Sequence, residues 1–287
     1  MAHFHSSIKK IIADFKKNNI DTSKPGFYDE PRFLRVEQGN PEYLNNYARF
    51  VQERNYSDEY LDEARKVIPL IVEELHKELL RDGRQGACVD LSMVLSRILE
   101  KEGFWNYIVK GSLTVSFPKQ SGIGDRFFWS MDQGDFSAGH AWVVAPPFGI
   151  IDLTIKQQER DSDESQYIPE LIISEVLEAD KAKVEDIISP EVRLYLQAQG
   201  LNSSNMISKV NPVLEKVLET FKTGNVKFNG TQFKYIPVAI GAPDCPLENM
   251  VGISVDGMSA IKMYTDIVKP KLELEKAEQA IKQDKNG

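Results

Sequence analysis

The chain has 287 residues, 41% of them hydrophobic and 27% charged, with a formal net charge of −8. That is enough apolar material for a sizeable core, in one elaborated domain or two modest ones. The negative balance, with no concentrated Lys/Arg surface, argues against a nucleic-acid binder, since neutralising phosphates needs a basic cluster.

Residues 5–18 predict a short amphipathic helix, with Ile8, Ile11, Ile12 and Phe15 on one side and the lysines of Ile8–Lys17 on a solvated face. A stretch punctuated by Pro25, Pro31 and Pro41 follows. Ser57 reads as the N-cap of a long helix, with Asp58 and Glu59 in its first turn. That helix should kink at Pro69 and stop at Asp82-Gly83. The next helix starts near Cys88 and ends at Gly103. Its residues Leu91, Val94, Leu95, Ile98 and Leu99 form a buried stripe.

Tyr107–Phe117 alternates like a strand, whereas 118–139 shows neither helical nor strand period. Two strands follow, His140–Ala145 and Phe148–Ile155, joined through Pro146-Pro147. The polar run Lys156–Gln166 reads as a surface loop. Helices are expected over 168–199 and 206–222, short strands over 226–240 and 250–255, and a final helix over 258–283. The order implies an α+β protein, because strands joined by short turns pair antiparallel. No stretch approaches the roughly 20 apolar residues that span a bilayer, and the amino terminus lacks the apolar region of a signal peptide. The two cysteines make no disulfide framework. A cytoplasmic setting away from membranes is the expectation, with signal-less export left open.

Three residues stand out for their chemistry. Cys88 opens an amphipathic helix just after Gly83 and Gly86, where the helix end favours a thiolate. The N–H groups there can also serve a developing oxyanion. A small buried cysteine in a first helical turn is the plain alternative. His140 opens a strand and shares a face with Trp142. Asp152 sits between Ile151 and Leu153 on the next strand. If the turn pivots on Pro146, residue 140 faces 152, with Cβ atoms roughly 5 Å apart. A slip of one residue would send Asp152 to the opposite face. A carboxylate among aliphatic neighbours needs a partner, since burying it unpaired is costly. Metal binding is disfavoured, because no fourth ligand or paired-Cys spacing accompanies the three.

The segments Gly86-Ala87-Cys88-Val89-Asp90-Leu91, Gly139-His140-Ala141-Trp142-Val143 and Ile150-Ile151-Asp152-Leu153-Thr154 together resemble the transglutaminase-like superfamily, a branch of the papain-like thiol enzymes. The resemblance covers roughly residues 60–156. It implies a core in which a nucleophile helix packs on an antiparallel sheet, with Cys88 as nucleophile, His140 as base and Asp152 orienting the histidine. No cofactor or metal is implied. In that frame residues 1–56 form an N-terminal helical extension, 57–156 the catalytic core and 157–287 a C-terminal α/β extension or second lobe.

The expected activity is acyl transfer at an amide or ester of a protein or peptide through a Cys88 thioester. Hydrolysis (protease, amidase or deamidase) is favoured over lysine crosslinking because water needs no dedicated site. The loop 118–139 is the candidate substrate lid, with Phe128 and Trp129 as substrate-binding residues and Trp142 as a wall. Plain core packing is the rival account of these aromatics. From another class, the rival is an inactive, protein-binding module that keeps the core as scaffold.

Overall fold

The structure is a computed structural model that describes residues 2–132, 135–136, 139–158, 162–175 and 177–284. Five helices come first: α1 Ala2–Lys17, α2 Pro31–Gly39, α3 Leu44–Glu53, α4 Asp58–Asp82 and α5 Cys88–Lys101. Strands follow: β1 Tyr107–Ser116, β2 Arg126–Phe128, β3 Met131–Asp132, β4 Asp135–Phe136, β5 His140–Ala145, β6 Phe148–Asp152, β7 Ile172–Ser174 and β8 Glu178–Asp180. Helices α6 Val184–Ile187, α7 Pro190–Ala198, α8 Met206–Val210 and α9 Pro212–Thr220 lead to β9 Thr223–Phe228 and β10 Thr231–Gly241. The chain then gives β11 Ser254–Val255, β12 Met258–Ser259 and a helical rod of α10 Ala260–Lys262, a π-helical stretch Met263–Val268 and α11 Lys269–Asp284. The protein is α+β.

Several boundaries follow from local chemistry. Ser57 caps α4 by accepting from the Tyr60 N–H at 3.2 Å. Gly83, with φ 67°, ends it. The helix continues through Pro69. Other segments depart from expectation. Pro31 begins a helix because the first position of a helix needs no N–H. Residues 118–139 contain β2, β3 and β4. The expected helix over 168–199 is instead β7, β8 and two helices, because Ile172 and Ile173 find strand partners on β6. Asn211 caps α9 and breaks the 206–222 helix in two. The expected surface loop 156–166 buries Gln158, just after a 3-10 turn over Ile155–Gln157, and Glu164, inside a second over Ser162–Tyr167, and its residues 159–161 lie outside the described residues.

By contacts the chain forms two units that interleave along the sequence: Met1–Tyr107, Ala145–Pro147 and Ala242–Gly287 in the first, Ile108–Val144 and Phe148–Gly241 in the second. They are therefore not coextensive with the three consecutive segments expected from the sequence.

The first unit is helical. An aromatic cluster of Phe15, Phe27, Phe33, Tyr43, Tyr47 and Phe50 packs through edge-to-face and tilted contacts, with Trp105 against Phe27 and Phe50. Helices α4 and α5 bury Ile68, Ile71, Leu75, Leu79, Leu91, Leu95 and Ile98. Buried Arg97 of α5 ties this unit together. Its guanidinium donates to the carbonyls of Cys245 and Pro243, both at 2.9 Å, and to Glu100 at 2.8 Å, and lies 2.7 Å from Asp29. Burial raises the Glu100 carboxyl above its ordinary range, opposed by Arg97 and the Tyr28 O–H.

The second unit is built on an eight-stranded sheet in the order β7-β6-β5-β1-β10-β9-β8, with β2 also on β1. Its edge strands β7 and β8 are consecutive in sequence, joined through residues 175–177. A Cβ placed on Gly149 of β6 would lie 2.9 Å from Leu177 Cδ1, and one on Gly224 of β9 would lie 2.8 Å from the same atom. One methyl group thus reaches strands from both ends of the sheet, so the sheet is curled. Helices α6–α9 cover one face, where Val184, Ile187, Ile188, Leu196, Met206 and Leu214 pack on Ile236 and Val238 of β10. On that face Lys234 Nζ donates to Asp186 Oδ2 at 2.7 Å. Phe233 and Tyr235 alternate onto the other face.

Gly111 of β1 pairs with Pro237 beside a β-bulge in β10, where Val238 is the extra residue. A Cβ here would stand 2.1 Å from the Ile236 carbonyl oxygen and 2.7 Å from Trp142 Cη2. Gly111→Ala is therefore expected to destabilise the protein by about 2 kcal/mol or more, read as a lower urea midpoint. An unchanged midpoint would contradict the close packing of β1, β10 and Trp142.

Candidate active site

In the second unit, β5 and β6 are sheet neighbours joined by the two residues Pro146-Pro147. That connection is short enough only for an antiparallel hairpin. His140 at the start of β5 and Asp152 at the end of β6 are both buried, at 0% and 1% exposure. His140 Nε2 donates to Asp152 Oδ2 at 2.6 Å. That bond puts both side chains on one face of the hairpin, as the turn-centred register requires.

The carboxylate is bonded on every side. Its Oδ1 accepts from the Thr154 N–H and from the Thr154 hydroxyl, both at 3.0 Å. Its Oδ2 accepts from His140 and from the Tyr235 O–H at 2.8 Å. Gln158 Nε2 in turn donates to the Thr154 carbonyl at 3.0 Å. Burial pushes the Asp152 carboxyl up, but the His140 charge and the donated hydrogen bonds outweigh it, and the group stays below its ordinary value of 3.8. The Tyr235 phenol is held well above 10.0 by burial and by the neighbouring carboxylate, so it remains a donor.

Aromatic rings frame the imidazole. Trp142 lies nearly parallel to it with centroids 6.4 Å apart, and Phe128 of β2 stands at 6.2 Å. Trp142 is buried and meets Tyr235 edge to face at 5.0 Å. Trp129 goes elsewhere. It stacks on Phe127 at 5.4 Å, and its indole N–H donates to the Glu185 carbonyl at 2.9 Å. Strand alternation explains the separation, since 127 and 129 share a side and 128 takes the other. The side chain of Trp129 thus turns to Phe127 and Glu185, and its position lends no support to the substrate-binding role expected for it.

Cys88 belongs to the first unit. It is the first residue of α5, follows Ala87 and Gly86 (φ 68°), and is 7% exposed. Asp90, whose charge in the first turn opposes a thiolate, is paired with Arg84 Nη1 at 3.3 Å. The other cysteine, Cys245, is half-buried and likewise free. Among the described residues, no group of three or more His, Cys, Asp or Glu side chains is placed to hold a metal ion, and no helix is long and apolar enough to cross a membrane.

The sequence reading missed Thr154 and Tyr235. Thr154 had a signal, since an aspartate commonly accepts from the N–H two residues on. Tyr235, 83 residues from Asp152, had none. A scan of family models and searches of curated proteins and of solved structures found no match to the chain.

Because its native pKa is lowered, Asp152 contributes stability above its unfolded value of about 3.9, and this is lost as pH falls through the native value. The stability gap between wild type and Asp152→Asn, measured by denaturant unfolding, is expected to be full at pH 7 and to narrow as pH approaches 3. A gap that is constant with pH would mean that ionised Asp152 is not what the surrounding donors stabilise.

Proposed function

We propose that the protein performs thiol-dependent acyl transfer at an amide or ester, with water as acceptor, using Cys88 as nucleophile, His140 as base and Asp152 to orient the imidazole. The observation that carries this reading is the 2.6 Å bond between His140 Nε2 and a buried, ionised Asp152. An imidazole that donates from Nε2 has Nδ1 as its basic nitrogen, which is the state a general base needs. Cys88 at the start of a 14-residue helix is the second support, because the helix end favours both a thiolate and an oxyanion. In this reading α5 and the β5–β6 hairpin correspond to the nucleophile helix and antiparallel sheet of a papain- or transglutaminase-like core.

The chemistry runs in two halves. His140 Nδ1 takes the Cys88 proton, and the thiolate adds to the substrate carbonyl carbon. Backbone N–H groups at the start of α5 stabilise the oxyanion. Its collapse breaks the C–N or C–O bond, and the leaving amine or alcohol receives the proton from His140. A Cys88 thioester remains. Water then adds to the thioester as His140 takes its proton, and collapse releases the acid while the proton returns to sulfur. Asp152 stabilises the imidazolium at each stage without itself being protonated. Protein or peptide substrates suit the apolar ring of half-buried Phe128 near the imidazole, while buried Trp142 packs behind it on Tyr235.

Iodoacetamide mapped by mass spectrometry tests the assignment on the native full chain. Cys88 is expected to label fast near neutral pH and at least about tenfold slower in His140→Ala, with Cys245 as internal control unchanged. An inert Cys88 in the folded wild type would identify a scaffold cysteine and end the enzyme reading. Screening amide and ester libraries, with Cys88→Ala as blank, then defines the substrate.

A further inference from the structure

The Asp152 carboxylate draws its fourth donor from a distant part of the fold. Three strand spacings separate β6 from β10 in the sheet order, about 14 Å in a flat sheet. The curl of the sheet closes that distance, so that the Tyr235 O–H reaches Asp152 Oδ2 at 2.8 Å. This is the same oxygen that accepts from His140 Nε2. Tyr235 is itself pinned from two directions. Its ring meets Trp142 at 5.0 Å, and its strand is anchored on the opposite face by Lys234 bonded to Asp186.

We propose that Tyr235 is a positioning residue for the His140–Asp152 pair, donating its O–H to the oxygen that holds the imidazole and thereby setting both the place of that oxygen and the strength with which it draws on the imidazole proton. The inference rests on the acyl-transfer reading only where it makes the pair catalytic.

The physical argument is one of shared charge. An oxygen that accepts two hydrogen bonds offers less negative charge to each donor. With the phenol removed, the whole demand of Oδ2 falls on His140, and the imidazolium becomes more favoured. Thr154 still holds Oδ1, so the carboxylate stays in the site and the change is felt at Oδ2. Around the carboxylate, β5 supplies His140, β10 supplies Tyr235, and β7 places Ile172 opposite Asp152. His140 and Tyr235 are thus the titratable side chains that touch it among the described residues. A tyrosine serving only to fill space would leave the imidazole unaffected when replaced by phenylalanine, which keeps the ring against Trp142.

The test is long-range 1H–15N NMR of His140 in the full chain, wild type against Tyr235→Phe. The spectrum reads the tautomer and the titration midpoint together. The wild type is expected to carry its proton on Nε2 when neutral. In Tyr235→Phe the midpoint is expected to rise by at least about half a pH unit, a roughly threefold change in proton affinity. If Tyr235→Phe does not fold, site-specific 3,5-difluorotyrosine at position 235 supplies a stronger donor, and the midpoint is expected to move down instead. A folded Tyr235→Phe, or the fluorinated protein, with wild-type tautomer and midpoint overturns the proposal. Iodoacetamide labelling separates this outcome from the fate of the acyl-transfer reading. An inert wild-type Cys88 with a His140 that responds to Tyr235 removes the enzyme and keeps the positioning role. A reactive Cys88 with an unresponsive His140 does the reverse.

Discussion

An ionised carboxylate in a protein interior is costly unless every acceptor site is used, and the second unit is arranged around that demand. Asp152 receives four hydrogen bonds from three residues. One comes from the adjacent strand, two from Thr154 just beyond the end of its own strand, and one from β10. Each donor is fixed by a different part of the chain: the two-residue hairpin turn, the local Asp-Leu-Thr sequence, and the curl of the sheet. Disturbing any one of them leaves the anion less compensated and the imidazole less well aimed. Orientation of His140 is thus a product of the whole sheet and not of one neighbour.

The glycines show how closely that sheet is drawn together. Gly111 lets β1 approach the Ile236 carbonyl and Trp142, while Gly149 and Gly224 leave room for Leu177 from opposite ends of the sheet. A wider sheet would keep Tyr235 out of reach of Asp152. Phe128 and Trp142 bring their rings to 6.2 and 6.4 Å from the imidazole, and apolar surface beside the base strengthens each electrostatic contact there.

What was legible in the sequence follows from range. The α4 cap at Ser57, the stop at Gly83, the opening of α5 at Cys88 and the meeting of His140 with Asp152 all depend on residues close in sequence, where side-chain alternation and turn length decide geometry. The strands β7 and β8 are three residues each, too short to show an alternating pattern, and their partners on β6 and β9 lie at some distance along the chain. Helices α2 and α3 lay inside a segment marked by prolines, although Pro31 at a first helical position favours a helix. Trp129 was grouped with Phe128 by proximity alone, when a single step of alternation turns it to Glu185. Tyr235 depends on the curl, which no local pattern encodes. The interleaving of the two units escaped for the same reason, since it is set by where the chain returns after β10.

That return carries a consequence for how the molecule is made. Arg97, about two and a half turns into the helix that begins with Cys88, finds two of its acceptors in the carbonyls of Pro243 and Cys245. During synthesis from the amino end, the α5 segment emerges long before those carbonyls exist. Until then its guanidinium lacks two of the groups that make burial tolerable, and the neighbouring Glu100 shares in that incompleteness. The end of α5 around Arg97 can therefore reach its finished surroundings only after the intervening sheet has left the ribosome, so this buried ion cluster is completed late.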